Sequence, residues 1–241
     1  MVTPEGIRAV LDWELAQVGD PVRDLGWICV NSWRFGNSRL PVGGFGTVED
    51  LLSGYREVTG VEVSSEQLTF WEVFGSFWWS IITLQMANAW RTGEAPSLER
   101  PVIGRRSSEA QMDCVNLLIP GDFDLPDTGR GLAEGTQLPM PAELLEGVAG
   151  FLRDDVAGQL DSHRNFLARV AANSRGIAQR ELRYGAELAG AERHRLCSLL
   201  AADGSLDELR TGLSQRLREG LPLTTPGLAD HLRRTVAGQL A

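Results

Sequence analysis

The sequence predicts a mainly α-helical protein in two parts, with a short β-hairpin at its N-terminus. Residues 66–91 form a long apolar segment at helical spacing, which is typical of a central core helix. Residues 120–140 lose this periodicity and are rich in Gly, Pro, Asp and Thr, which is typical of a linker. Helical periodicity then returns over residues 141–241. We therefore expect domains at residues 1–119 and 141–241, the second being a small helical bundle.

The overall composition excludes several functional classes. The chain has 241 residues, of which 43% are hydrophobic, and a net charge of -9, which argues against nucleic-acid binding. Every one of its 23 basic residues is arginine. No signal peptide or membrane-spanning stretch is visible, so we expect no membrane association. The three cysteines are odd in number and widely spaced, which predicts buried free thiols and a cytoplasmic location.

The first elements follow from short-range signals. Residues 7–11 are apolar and predict a strand, whose hairpin partner would precede Met1 or be very short. Asp20 and Pro21 predict the start of a helix that runs to about residue 35. Thr47 predicts the cap of a second helix, which ends near residue 58.

The remaining helices are predicted by capping residues and apolar periodicity. Ser64 and Ser65 cap the long helix of residues 66–91, and another helix runs from residue 100 or 102 to residue 118. Five helices are expected in the second block, at residues 142–160, 161–185, 187–202, 205–219 and 226–240.

The N-terminal acids form the most informative motif. Asp12 ends an apolar run, and a strand that delivers a carboxylate to a loop is a common way to hold a metal ion. From this residue alone, a plain turn acid is the simpler interpretation.

The chain resembles the C-terminal part of the aminoglycoside phosphotransferase and choline-kinase-like family, particularly the subgroup associated with acyl-CoA dehydrogenases. The resemblance covers about half of the chain. The residues that carry it are Val10-Leu11-Asp12-Trp13-Glu14, Gly19-Asp20-Pro21, Asp24-Leu25, Trp33-Arg34-Phe35-Gly36, the helix from Phe70 to Trp90, and Ile103-Gly104-Arg105-Arg106 with Glu109. It implies a partial protein-kinase-like C-lobe, helical with a remnant β-hairpin, at residues 1–119.

The resemblance also implies a chemistry. It implies ATP and Mg²⁺ as cofactors, a small-molecule substrate whose hydroxyl accepts the phosphoryl group, and Asp12 as a metal ligand. A hydroxyacyl-CoA-like acceptor is plausible by resemblance only. Glu14 is a weaker candidate at the same surface, whereas Asp20 and Asp24 are expected to be structural.

The sequence departs from the family's pattern in two respects. The family's His-Gly-Asp catalytic loop occurs nowhere in the chain, and neither does a lysine to anchor phosphate. We therefore expect a truncated or mis-started gene product that lacks the nucleotide lobe and is inactive alone. The alternative is a non-catalytic interaction or regulatory module that partners an acyl-CoA dehydrogenase. A third hypothesis is that another polypeptide supplies the missing lobe.

Two further features of the sequence bear on function. Arg105 and Arg106 with Glu109 can bind a substrate carboxylate or phosphate, but an intrahelical Arg–Glu pair explains them equally well. The second block contains the stretches Pro141-Ala142-Glu143-Leu144-Leu145, Phe151-Leu152-Arg153, Phe166-Leu167-Ala168-Arg169-Val170-Ala171-Ala172-Asn173 and His231-Leu232-Arg233. With these stretches it resembles a helical domain of unknown function that can follow these phosphotransferases. That resemblance implies no activity.

Overall fold

The computed structural model describes residues 1–97, 99–119, 121–122 and 141–240, the side chains of residues 141–144 excepted. These residues are mostly helical, with one small antiparallel sheet, which confirms the mainly α fold. The predicted linker of residues 120–140 lies almost entirely outside the described residues.

The elements run in the following order. Two strands come first, β1 (Val2–Thr3) and β2 (Gly6–Ile7). The helices follow: α1 (Val22–Cys29), α2 (Val48–Thr59), α3 (Ser65–Arg91), α4 (Glu99–Arg105), α5 (Ser107–Leu118), α6 (Pro141–Gly150), α7 (Ser162–Leu200), α8 (Leu206–Arg218) and α9 (Leu228–Leu240). Within the described residues, no helix is both long and apolar enough to span a membrane.

Contacts divide the chain into two compact units, residues 1–75 and residues 76–241. The division falls inside α3, so each unit contains part of that helix. The boundaries predicted at residues 119 and 141 stay a prediction.

The N-terminal hairpin is shorter than predicted. Val2 pairs with Ile7 and Thr3 with Gly6, so both strands lie within the chain. The strand predicted over residues 7–11 is therefore wrong beyond Ile7. The Met1 carbonyl accepts hydrogen bonds from the backbone N–H groups of Arg8 and Ala9, which ends the ladder at that point.

Helix α1 also ends earlier than the predicted residue 35. Val30 leaves the helical conformation at φ -57° and ψ 133°. The guanidinium of Arg34 donates two hydrogen bonds to the Cys29 carbonyl, from Nε at 3.1 Å and from Nη2 at 2.6 Å. An arginine that satisfies the last carbonyl stabilises an early helix end.

Capping fixes the starts of α2 and α3 as predicted. The Thr47 hydroxyl accepts a hydrogen bond from the backbone N–H of Asp50 at 3.1 Å. Ser64 and Gln67 form a reciprocal capping pair, with side-chain-to-backbone distances of 3.2 and 3.0 Å. Below these helices, Cys29, Val42 and Leu68 form the buried core of this unit.

In the second unit, the helix predicted over residues 100–118 is two helices, α4 and α5. Helix α4 packs closely on α3, because Gly104 leaves no room for a side chain beside Ala87. Helix α5 packs against α9 through Met112, Val115, Val236 and Ala237.

The last block contains one very long helix. The two helices predicted over residues 161–185 and 187–202 are wrong, because α7 is continuous over 39 residues. Gly185 lies inside it, and an isolated glycine weakens a helix without ending it. The helix predicted at residues 142–160 is α6 followed by a π-helical segment, Phe151–Val156, and a short 3-10 turn.

Helices α7, α8 and α9 share one core. It consists of the fully or nearly buried leucines Leu196, Leu200, Leu209, Leu213 and Leu228. A complete capping box, formed by Ser205 and Glu208, begins α8.

Candidate functional site

The predicted metal ligand, Asp12, lies on an exposed loop. Residues 11–20 are exposed throughout. Asp12 has a left-handed backbone conformation, with φ 61° and ψ 39°, and its side chain caps no backbone N–H. Its carbonyl accepts a hydrogen bond from the Leu15 N–H at 2.9 Å, which closes the short turn Trp13–Leu15. The carboxylate is therefore accessible to solvent.

Asp12 belongs to no larger cluster of ligating side chains among the described residues. Among the residues described, no group of three or more His, Cys, Asp or Glu side chains lies close enough together to hold a metal ion. Glu14, the weaker candidate, is exposed on the same turn. The residues present thus fit one ligand position for Mg²⁺, which needs carboxylate, phosphate or water oxygens to complete its shell.

Asp20 has the structural role that was expected of it. Its Oδ1 accepts a hydrogen bond from the backbone N–H of Val22 at 2.9 Å, at the start of α1. Its Oδ2 accepts one from the indole Nε1 of Trp71 at 3.1 Å. Both oxygens are therefore occupied in joining α1 to α3. Asp24 is exposed in the first turn of α1.

A half-buried ion pair that sequence reasoning missed lies in the same unit as this loop. Arg34 Nη2 donates to Glu72 Oε1 at 2.7 Å, and both side chains are only 16% exposed. Burial raises the pKa of the neighbouring Cys29 thiol to about 11, Glu72 adds to the rise, and Arg34 opposes it. Arg34 belonged to a recognised motif, but nothing local indicates a partner 38 residues away.

The second unit places the Arg105, Arg106 and Glu109 group beside a cavity of about 700 Å³. Arg106 Nε donates to Glu109 at 2.9 Å, which is the intrahelical pair. Arg105 instead reaches Glu181 of α7, also at 2.9 Å. The side chains of Arg105, Arg106 and Glu109 all line the cavity. This position is compatible with the predicted binding of a carboxylate or phosphate.

The three cysteines are free, as predicted. Only Cys29 is fully buried, and Cys114 and Cys197 are half-buried, so the expectation of three buried thiols is wrong for two of them. Burial, with a smaller contribution from Asp113, raises the pKa of Cys114 to about 11.

Comparison with known families finds two matching segments. Residues 1–60 are similar to the phosphotransferase enzyme family. Residues 158–241 are similar to a domain of unknown function, DUF6285. No curated protein and no solved structure matches the chain. The chain is thus similar to a phosphotransferase over its first quarter and to an uncharacterised helical domain over its last third.

Proposed function

We propose that residues 1–119 are the acceptor-side part of an ATP-dependent small-molecule phosphotransferase. In this proposal Asp12 supplies one Mg²⁺ ligand, and the 241-residue chain does not turn over ATP alone. The similarity of residues 1–60 to the phosphotransferase enzyme family supports the class of reaction. The observation that carries the proposal is the position of Asp12, whose side chain is accessible on a loop within the segment that is similar to this family.

Phosphoryl transfer needs more than this chain provides. Catalysis depends on positioning the nucleotide, neutralising its phosphates and orienting the acceptor hydroxyl. The sequence contains no lysine and no His-Gly-Asp loop for these tasks. Bound Mg²⁺ would neutralise phosphate charge beside Asp12, but the residues around Asp12 fit one ligand position rather than a complete site. We therefore assign no catalytic step to the isolated chain.

The identity of the acceptor is proposed from the motif resemblance. The acceptor is a small molecule with a free hydroxyl, and a hydroxyacyl-CoA-like compound is the acceptor proposed for the subgroup associated with acyl-CoA dehydrogenases. A cytoplasmic location is proposed because the three cysteines are unpaired, which suits a reducing compartment.

Two measurements test the proposal. Calorimetry with ATP should detect no micromolar binding to the purified chain that needs both Mg²⁺ and the Asp12 carboxylate. Mn²⁺, used as a paramagnetic substitute for Mg²⁺, should broaden the amide NMR signals next to Asp12 in the wild type but not in Asp12→Asn. Glu57→Gln, which removes an exposed acid from α2, is the matched control and should keep the broadening.

Two outcomes would contradict the proposal. Micromolar ATP binding that requires Mg²⁺ and is lost in Asp12→Asn would show that the chain contains a working nucleotide site. Broadening that persists in Asp12→Asn would remove the metal role of that residue.

A second candidate function is a non-catalytic module that partners an acyl-CoA dehydrogenase. The observation that favours it is a run of exposed apolar side chains near the N-terminus: Ile7, Val10, Leu11, Trp13, Leu15 and Val18. Exposed apolar side chains that are close together are typical of an interaction surface. Sedimentation of the chain with a purified acyl-CoA dehydrogenase should then show a complex that the double variant Trp13→Ser, Val18→Ser weakens. Co-sedimentation that is the same for both chains would count against this function.

A further inference from the structure

The cavity in the second unit is rich in arginine. We call it the arginine groove: a space of about 700 Å³ lined by residues of α4, α5, α7, α8 and α9 and by Arg153. Eight arginines and three glutamates line it. The whole chain carries a net charge of -9, so the groove has an excess of positive residues in a protein that is negatively charged overall. Clefts lined by one sign of charge concentrate ligands of the opposite sign.

Several of these arginines already have carboxylate partners. Arg105 and Arg106 pair with Glu181 and Glu109. Arg210 makes two hydrogen bonds to the buried carboxylate of Glu192, at 2.8 and 2.6 Å. These ion pairs hold the paired side chains in place along the wall of the groove.

Three arginines of α7 form no such pair with the residues that the structure describes: Arg175, Arg180 and Arg195. Within the described part of the chain, no carboxylate lies within 4 Å of their guanidinium nitrogens. Arg175 donates to Gln179 at 2.8 Å and Arg195 to Thr235 at 3.2 Å, both neutral acceptors.

Two of these side chains also contain unsatisfied buried groups. The Nε atoms of Arg175 and Arg195 are covered by protein and have no hydrogen-bond partner among the described atoms. Burial lowers the pKa of Arg195, although Glu192 and Asp230 oppose the change. A buried guanidinium N–H without an acceptor costs folding free energy, and an anion in the groove would supply the acceptor.

The groove is elongated along α7. Arg180 and Arg195 are 15 residues apart on one helix, which corresponds to about 22 Å of axial length. Tyr184 and Leu188 line the part between them, and Gly238 of α9 faces it. At Gly238 a Cβ would lie 3.1 Å from a methyl of Leu188, so the two helices approach closely there. The volume is in the range of small-molecule sites.

We propose that the arginine groove binds an elongated small molecule that carries several phosphate groups. Arg175, Arg180 and Arg195 provide charged donors that form no ion pair with a carboxylate of the described residues. Guanidinium groups suit phosphate because their planar donors match two oxygens at once. The three glutamates of the wall, at Glu109, Glu181 and Glu192, are each engaged by an arginine, so they repel an incoming anion less than free carboxylates would.

Calorimetry on the full chain tests this proposal with inorganic tripolyphosphate as the probe, in buffer that contains EDTA. We expect binding by the wild type and a loss of about tenfold in affinity for Arg180→Gln, the size expected for one charged hydrogen bond. Arg169→Gln is the matched control, because Arg169 is an exposed arginine of the same helix outside the groove. It should keep wild-type affinity.

Two further measurements separate binding from folding. Arg195 lies about 22 Å along the helix from Arg180, further than tripolyphosphate reaches, so Arg195→Gln should weaken by about tenfold the binding of a longer linear polyphosphate of about ten phosphates. Because Arg180 is exposed and forms no ion pair with the described residues, Arg180→Gln should retain the wild-type melting temperature without the probe. Tripolyphosphate should raise the melting temperature of the wild type more than that of Arg180→Gln.

Three results would overturn the proposal: no binding of tripolyphosphate, an equal loss in Arg169→Gln and Arg180→Gln, or citrate binding as tightly as tripolyphosphate. The last result would make the groove a carboxylate site. Asp12→Asn should leave tripolyphosphate binding unchanged, so failure here is distinguishable from failure of the proposed metal role of that residue.

Discussion

Arg34 performs two tasks with one side chain. It satisfies the Cys29 carbonyl at the end of α1, and it pairs with Glu72 of α3 at 2.7 Å. Both charged side chains are only 16% exposed, so water and salt screen this pair less than a pair on the open surface. The residue therefore fixes where α1 ends and how the chain leaves it.

Replacing Arg34 should be costly. We expect Arg34→Ala to lower the free energy of unfolding by about 2 kcal/mol, because it removes the ion pair to Glu72 and both hydrogen bonds to the Cys29 carbonyl. Urea denaturation measures this change. Arg56→Ala is the control, since Arg56 and Glu62 form an ion pair in which the side chains are 58% and 81% exposed. Such a pair contributes about 0.5 kcal/mol or less. Equal effects of the two substitutions would contradict the structural role of Arg34.

The thiols of Cys29 and Cys114 make stability depend on pH. Their folded pKa values are raised to about 11 from an ordinary value of 9.0, chiefly by burial. Above pH 9 the unfolded chain therefore loses protons that the folded chain keeps, and stability should fall between about pH 9 and pH 11.

Single substitutions isolate this dependence. The slope of unfolding free energy against pH, measured by urea titrations from pH 8 to pH 11, should be shallower in Cys29→Ala and in Cys114→Ala. Val30→Ala, which shortens a fully buried apolar side chain, should lower stability without changing the slope. Slopes that are identical in all four proteins would show that these thiols ionise equally in the folded and unfolded chains.

Helix α1 lies very close to α3 at Gly26. A Cβ on Gly26 would lie 2.6 Å from the backbone carbonyl carbon of Trp71, a distance that no real contact allows. The hydrogen bond from Trp71 to Asp20 holds the same two helices together. The glycine is needed for contact between the elements rather than for a special backbone conformation.

We therefore expect Gly26→Ala to destabilise the protein by about 2 kcal/mol, because the helices must separate to admit the methyl group. Gly54→Ala provides the contrast, since no atom lies within 4 Å of the position of its Cβ on α2. It should stabilise by about 0.5 kcal/mol, because alanine favours the helix more than glycine does. Thermal unfolding of both variants checks the difference, and a neutral Gly26→Ala would refute the close approach.

Helix starts could be predicted from the sequence, whereas several helix ends could not. Thr47, Ser64 and Ser205 act within three residues of themselves, so local pattern was sufficient. The end of α1 coincides with the hydrogen bonds from Arg34 to the Cys29 carbonyl, and Arg34 also pairs with Glu72, which is distant in sequence. The continuity of α7 was missed because the predicted helix ended at residue 185, where the structure continues the helix.

The same limit applies to the candidate sites. Asp12 could be identified because its motif is continuous in sequence, but its exposure and the absence of gathered acids in the described residues are properties of the fold. Arg105 and Arg106 were recognised as a possible anion site from their spacing. The contributions of α7, α8 and α9 to the arginine groove could not be foreseen, since they come together only when these helices pack.

At the scale of the whole molecule, the packing of the C-terminal helix bears on where the domains divide. Helix α9 packs against α5, and the contact buries Met112 and Val115 against Val236 and Ala237. Helix α4 likewise contacts α7. Residues within the predicted first domain thus share a core with residues of the predicted second domain, inside the unit of residues 76–241.

A shortened chain tests whether the chain divides at residue 119, as the sequence predicts, or after residue 75, as the contacts indicate. We expect residues 1–119 alone to lack cooperative thermal unfolding and to bind the dye ANS, because Met112 and Val115 lose the helix that covers them. In the full chain, Val236→Asp should have a related but smaller effect, since it places a charge in that contact. Val58→Asp is its control, because Val58 is 87% exposed. A shortened chain that unfolds cooperatively and binds no ANS would instead support the domain boundary predicted at residue 119, with the α5–α9 contact as an interface between two independently stable parts.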